Sequence, residues 1–167
     1  AVSPSGQHLV CTRSRVDTLP ETILLDRDGR EIMTVEVADG SGLPQHWCWP
    51  EPVKLEGADG ETDVYGVVFR PPGFSAEKRY PVVEFVSSTR EFSAMPVGPF
   101  GLGDCDGHGF YHACAMAALG FICVIIDGRG TPYRRSSFSN YRYGNHRYIG
   151  SFEDRIAGIR QLAERYP

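Results

Sequence analysis

The feature that most constrains this chain is the stretch Gly120-Phe121-Ile122-Cys123-Val124-Ile125-Ile126-Asp127-Gly128-Arg129-Gly130-Thr131-Pro132. Its apolar run, Phe121 to Ile126, has no polar face. A strand of that kind is buried on both sides, as in a parallel sheet covered by helices. Gly120 suits the end of a preceding helix, and Asp127-Gly128-Arg129-Gly130-Thr131-Pro132 is a glycine-rich turn. That turn leaves the sheet at the carboxyl end of the strand, the edge where open α/β sheets place ligands. What matters next is the chemistry that neighbouring segments bring to that edge.

The segments around it supply a sheet. Val53-Lys54-Leu55-Glu56 alternates, Ala58-Asp59-Gly60 turns, and Val64 to Arg70 returns, which reads as a hairpin. Pro71 and Pro72 end it, because neither can donate to a ladder. Tyr80-Pro81 introduces a strand from Val82 to Val86, and residues 87–107 form a long irregular stretch. An alanine-rich helix is expected from His108 to Leu119. After the central strand, residues 128–150 read as a polar, aromatic loop. A last helix runs from Ser151 to Tyr166. Ser151 with Asp154 three residues on has the form of a capping box. Phe152, Ile156, Ile159, Ala163 and Tyr166 recur at helical spacing as its buried stripe, and Gly158 implies close packing onto the sheet. The order from Val53 is hairpin, strand, helix, strand, helix. Its Tyr80–Ile126 portion is a βαβ crossover, right-handed by the general rule. This is the front half of an α/β sheet, and its last helix awaits a strand.

Residues 1–37 are all-β in character. His8 to Arg13, Thr22 to Asp26 and Glu31 to Val37 are strand-like, and Arg27-Asp28-Gly29-Arg30 is a hairpin turn. Three such strands cannot cover both faces of their own sheet, so they fit the end of a larger β domain. Residues 38–52, dense in Gly and Pro and carrying Trp47 and Trp49, read as a linker. The tryptophans are expected to pack between two domains.

Composition narrows the function classes. A net charge of −4 with scattered Lys and Arg gives no footprint for nucleic acid. No apolar run approaches the ~20 residues that span a bilayer. Residues 1–6 resemble neither region of a signal peptide, and cytoplasmic and periplasmic settings stay open. The 5 cysteines, without a CxxC, do not form a disulfide framework. Cys114 and Cys123 are expected to act as buried apolar groups. His108 and His112, four apart and near Asp104, Cys105 and Asp106, have zinc-like spacing but lack a HExxH glutamate. Asp104-Cys105-Asp106-Gly107 lacks the later ligands of a calcium loop, and no dinucleotide fingerprint occurs. No metal and no cofactor is expected. Tyr133, Arg134, Arg135, Tyr141, Arg142, Tyr143, His146, Arg147 and Tyr148 suit a loop at a domain interface, or a cleft for carboxylate or phosphate groups. Glu153 and Asp154 read as helix N-terminal charges.

Tyr65-Gly66-Val67-Val68-Phe69-Arg70-Pro71, Lys78-Arg79-Tyr80-Pro81-Val82-Val83, Gly120 to Thr131, and Glu153-Asp154 to Tyr166-Pro167 together resemble the prolyl oligopeptidase family of serine peptidases. The dipeptidyl-peptidase-IV-like branch is the most similar, and Ser3-Pro4-Ser5-Gly6 is similar to its recurring propeller turn. The resemblance covers nearly the whole chain. It implies the end of a β-propeller over residues 1–37, a linker over 38–52, and the N-terminal half of an α/β-hydrolase domain over 53–167. It also implies a parent that removes short N-terminal peptides with a Ser-Asp-His triad. The family nucleophile sits on a Gly-x-Ser-x-Gly elbow after the next strand, and no such motif occurs here. None of the triad is therefore expected within these residues. After the strand at 82–86 the family carries Tyr-Gly-Gly-Pro, whose Tyr donates to the oxyanion; here Ser87-Ser88-Thr89-Arg90 stands in its place. Ser87 is the oxyanion-region candidate, with a hydroxyl too short to reach the same point. The implied partners are a peptide substrate for the parent, the C-terminal hydrolase half, and a second copy in a homo-oligomer. A reading of a different class is a non-catalytic module that pairs through an open sheet edge. An esterase or acyl-peptide hydrolase parent is the remaining alternative.

Overall fold

The computed structural model describes residues 1–86, 93, 95, 96, 108–141, 143 and 151–166. Strands β1 (His8–Arg15), β2 (Thr18–Asp26) and β3 (Glu31–Val37) form one antiparallel sheet in chain order. The 27–30 turn follows from its residues. Gly29 takes a φ of 82° that disfavours side chains. The Asp26 carboxylate accepts the N–H groups of Asp28 and Arg30 at 2.9 and 2.8 Å.

Strands β4 (Glu51–Glu56), β5 (Asp63–Phe69), β6 (Val82–Glu84) and β7 (Ile122–Asp127) form a second sheet of order β4-β5-β7-β6. The β4/β5 and β5/β7 pairs are antiparallel, and β6/β7 is parallel. β4 opens at Glu51, inside the stretch read as linker; as an edge strand it accommodates Pro52. β6 is shorter than the 82–86 run, although the Phe85 N–H still reaches the Val124 carbonyl at 3.0 Å.

Every residue of β7 is buried, as its apolar run requires. The alternation of a strand divides it between two cores. Cys123 and Ile125 face helix α1 (His108–Ala118), with Val67, Phe69, Phe110, Ala113 and Ala117. Ile122, Val124 and Ile126 face helix α3 (Phe152–Arg165), with Val53, Leu55, Val64, Val68 and Leu162. Between β7 and α3 a single helical turn, α2 (Ser136–Ser139), interrupts the stretch read as loop and buries Phe138.

The face that α3 buries follows the apolar stripe only in part, at Ile159 and Tyr166. Phe152 and Ile156 are 54% and 48% exposed, whereas Asp154, Arg155, Gly158 and Leu162 face the protein. Gly158 sets this rotation. A Cβ there would lie 2.9 Å from Leu55 Cδ1 and 3.0 Å from Ile126 Cδ1, so only glycine lets the helix sit this close. The capping box does not form either. Ser151 adopts a left-handed conformation and makes no side-chain cap; its hydroxyl donates to the Arg129 carbonyl.

The two sheets share a core. Val16, in the β1–β2 turn, is buried in the cluster of α1 and β5. Trp47 packs against the same cluster and meets Trp49 edge-on at 5.8 Å. Cys11, Cys48, Cys114 and Cys123 are free thiols, and Cys105 lies outside the described residues. Burial pushes the Cys114 and Cys123 thiols up to about 11. Among the described residues no helix is long and apolar enough to cross a membrane.

Gly66 tests the central packing. A Cβ at this position would stand 2.7 Å from the Ile125 carbonyl oxygen, a backbone atom that cannot move aside. Gly66→Ala is expected to destabilise the chain by about 1–3 kcal/mol in chemical denaturation. An unchanged midpoint would show that β5 and β7 are not this close.

Candidate functional site

The candidate site is the carboxyl end of β7, where the Asp127–Thr131 turn meets the start of α3. Gly128 permits the contact. A Cβ on it would approach Ser151 Cβ to 2.5 Å and Asp154 Cβ to 3.0 Å. The chain then turns sharply, with Gly130 at a φ of 99°. The Gly130 N–H reaches the Phe138 carbonyl at 2.8 Å, and the Thr131 hydroxyl reaches the Gly128 carbonyl at 3.0 Å.

Close approach of Gly128 places Arg129 on Asp154. The Arg129 N–H donates to Asp154 Oδ2 at 2.8 Å. Nη2 donates to Oδ1 at 2.7 Å, and Nε lies 3.0 Å from Oδ2. The Ala58 N–H adds a bond to Oδ1 at 2.9 Å. Nη1 of Arg129 reaches Asp59 Oδ2 at 2.6 Å, and the Tyr141 ring covers the guanidinium, with its centre 4.2 Å from Cζ. Asp154 is 1% exposed and Arg129 8%. One turn thus joins the 58–62 turn, the end of β7 and the start of α3.

The electrostatics follow from these contacts. Burial acts to raise the Asp154 carboxyl, but the Arg129 side chain and the N–H groups of Ala58 and Arg129 outweigh it and hold it low. Asp59 is held at about 2 by the Thr62 hydroxyl and N–H, the Glu61 N–H and the nearby Arg129 charge, against the opposing effect of desolvation. The same carboxylates raise Arg129. A carboxylate held this low and filled with donors is a poor proton acceptor near neutral pH, so the trio organises the rim of the sheet.

Two further contacts fix this edge. Asp127 Oδ2 accepts a hydrogen bond from the Ser93 hydroxyl, whose oxygen accepts the Met95 N–H at 3.1 Å. Arg155, 1% exposed, donates to Glu84 Oε1 at 2.8 Å, tying α3 to the end of β6.

The other residues singled out from the sequence do not converge. Ser87, Asp104, Cys105 and Asp106 lie outside the described residues, as do Arg142, His146, Arg147 and Tyr148. His108 opens α1, and His112 stacks on Phe85 with ring centres 5.5 Å apart. Among the described residues no group of three or more His, Cys, Asp or Glu could hold a metal ion. Arg134 lies over Phe138 and Tyr65 at 4.3 and 5.0 Å and donates to the Asp63 carbonyl at 3.1 Å. Tyr133 is 80% exposed.

Human dipeptidyl peptidase 8 is 27% identical to this chain over 133 residues, 78% of the chain and 14% of the relative. Mouse dipeptidyl peptidase 8 is 26% identical over the same shares. A crystal structure of a protein assigned as a dipeptidyl aminopeptidase IV, from Bacteroides ovatus ATCC 8483, superposes with a TM-score of 0.77 at 25% identity, over 98% of this chain and 22% of that one. The chain is thus similar in sequence and in fold to dipeptidyl peptidases. No family model matches it. This dipeptidyl-peptidase-IV-like chain spans 14% of the length of the curated relatives it matches.

The Arg129 knot in this dipeptidyl-peptidase-IV-like chain generates two expectations. Asp154→Asn leaves a buried guanidinium short of its counter-charge and should lower stability by about 3 kcal/mol in urea unfolding. A loss below about 1 kcal/mol would mean that the pair is solvated. Asp59 and Asp154 both sit below their unfolded values near 4, so their contribution is complete above that pH. It is lost as pH falls through the folded values, about 2 for Asp59. Thermal melts from pH 6 to pH 2 should show stability falling below about pH 4, with a flatter acid limb in the Asp59→Asn/Asp154→Asn variant. Parallel acid limbs would remove these carboxylates from the account.

Proposed function

We propose that this chain is a segment of a serine peptidase of the dipeptidyl-peptidase type. The carrying observation is its superposition on the Bacteroides ovatus structure over 98% of its residues. In this reading residues 1–37 are the last strands of a β-propeller, 38–52 the linker, and 53–167 the N-terminal half of an α/β-hydrolase domain. The antiparallel β1-β2-β3 sheet and the β4-β5-β7-β6 sheet with its parallel pair suit those assignments. The parent would act on peptide substrates by acyl transfer, with a serine nucleophile, a histidine base, an orienting aspartate and an oxyanion hole.

The segment's share of that work is architectural. The Arg129 knot and the Arg155–Glu84 pair hold the rim on which a nucleophile elbow would be mounted, and Ser87 would stand near the oxyanion. The C-terminal hydrolase half is the partner this reading requires. Its place is the outer side of β6, beside an apolar groove of about 330 Å³ between β6 and α3, lined by Val82, Val124, Ile159, Leu162, Ala163 and Tyr166. A parent of esterase or acyl-peptide hydrolase type would use the same scaffold on another acyl group.

A second reading is a non-catalytic module that binds other chains through β6. It is favoured by the position of β6 at the sheet's edge and by Val82, which is 51% exposed.

The 167-residue chain by itself should neither turn over fluorogenic dipeptide substrates nor label with a serine-directed fluorophosphonate. Specific labelling would overturn the view that the triad lies elsewhere. Extending the open reading frame by about 40 residues should add an apolar strand and a Gly-x-Ser-x-Gly elbow; a sequence without them would favour the module.

A further inference from the structure

Asp127 ends β7 as a buried carboxylate, 8% exposed, at the carboxyl edge of the sheet. The Arg129 guanidinium is served by Asp154 and Asp59, so the knot does not use this charge. A carboxylate at the end of a buried strand costs desolvation that an apolar residue there would not. What it holds is Ser93, 34 positions back in the chain, whose hydroxyl donates to Oδ2. A carboxylate has no proton to give, so the direction of this charge-assisted bond is fixed, and Ser93 Oγ accepts the Met95 N–H at 3.1 Å. Met95 packs in turn against the cluster of α1 and β5. The chain that leaves β6 therefore returns to the strand beside it. On the way out the Phe85 N–H reaches the Val124 carbonyl at 3.0 Å, and on the way back Ser93 meets Asp127 of the same strand. Ser87 falls between these two anchors in the sequence.

We propose that Asp127 is a positioning residue for the oxyanion site: through Ser93 it fixes the return of the segment that follows β6, and with it the donors this segment presents to a reacting carbonyl. The inference rests on the peptidase reading above. In that reading Ser87 stands where related peptidases carry a tyrosine donor, and its hydroxyl is too short to take the tyrosine's place. The oxyanion is then left to a backbone N–H of the segment. A backbone donor has no rotamer with which to adjust; it is placed only by what holds the chain on either side. Phe85 holds one side through the ladder, and the Ser93–Asp127 bond holds the other. A misplacement of about 1 Å costs on the order of 10²-fold in rate. Loss of the second anchor is therefore felt in the transition state, while ground-state binding of the peptide survives.

The test uses the full-length parent with a fluorogenic dipeptide substrate and a peptide boronic acid, which forms a tetrahedral adduct on a nucleophilic serine. Ser93→Ala and Asp127→Ala should each lower kcat by about 10²-fold, with KM changed less than about three-fold. Boronate affinity should fall with kcat. The double variant should be no slower than the slower single one, because both remove the same bond. Asp127→Asn, whose amide oxygen still accepts the hydroxyl, and Ser93→Thr, which keeps the hydroxyl, should each lose less than about ten-fold. A merely structural role would lower the unfolding midpoint without dividing kcat from KM. Ser93→Ala removes a single oxygen from a half-buried residue, so it decides the matter even where Asp127→Ala does not fold. Wild-type kcat in Ser93→Ala overturns the inference and leaves the peptidase reading standing. So does additivity of the two alanine variants, or a loss carried by KM alone. A full-length parent that neither cleaves dipeptides nor takes up the fluorophosphonate label overturns the peptidase reading, and this inference with it.

Discussion

The Arg129–Asp154 pair is the interaction on which the second sheet depends. Arg129 lies 25 positions from Asp154 and 70 from Asp59, yet one guanidinium holds both carboxylates. Isolated burial of either charge would cost several kcal/mol. It is tolerated because Asp154 is filled by side-chain and backbone donors and Arg129 is capped by an aromatic face. The pair forms only because two glycines remove Cβ atoms where backbone and helix meet. Gly128 lets the turn touch the first residues of α3, and Gly158 lets the middle of α3 rest on Leu55 and Ile126. Helix orientation, rim geometry and the acid limb of stability therefore share one cause.

Around that pair β7 serves as a partition. Its alternation gives one set of side chains to α1 and the other to α3, so a substitution on either face is felt by a different helix. Two further bonds hold the rim above it: Ser93 on Asp127 and Arg155 on Glu84. Groups that must be held to within a fraction of an ångström are best supported by locked neighbours of this kind.

The strand 121–126, the 27–30 hairpin, the α1 helix and the parallel pairing of β6 with β7 were all legible in the sequence. Each rests on local pattern: an unbroken apolar run, an Asp-Gly turn, an alanine-rich segment ended by glycine. The orientation of α3 was not legible. Phe152 and Ile156 follow helical spacing, so periodicity assigns them to the core, but Asp154 and Arg155 take that direction because their partners are brought in by β6 and by two distant turns. Glu153-Asp154 read as N-terminal helix charges for the same reason; nothing within a few residues identifies Arg129 as a partner. Asp59 was visible only as a turn residue beside Gly60. Gly158, read in the sequence as a point of close packing onto the sheet, was the legible sign of the face that approaches it.

The burial of Val16 has a mechanical consequence. The turn between the first two strands is wedged into the packing of β5 and α1, so the two sheets touch through a side chain as well as through the 38–50 connection. A displacement of the first sheet is therefore delivered directly to β5, and through its pairing to β7 and the rim that β7 carries. Trp47 anchors the connecting segment in the same cluster, so load from the first sheet enters β5 and α1 through a valine and a tryptophan together.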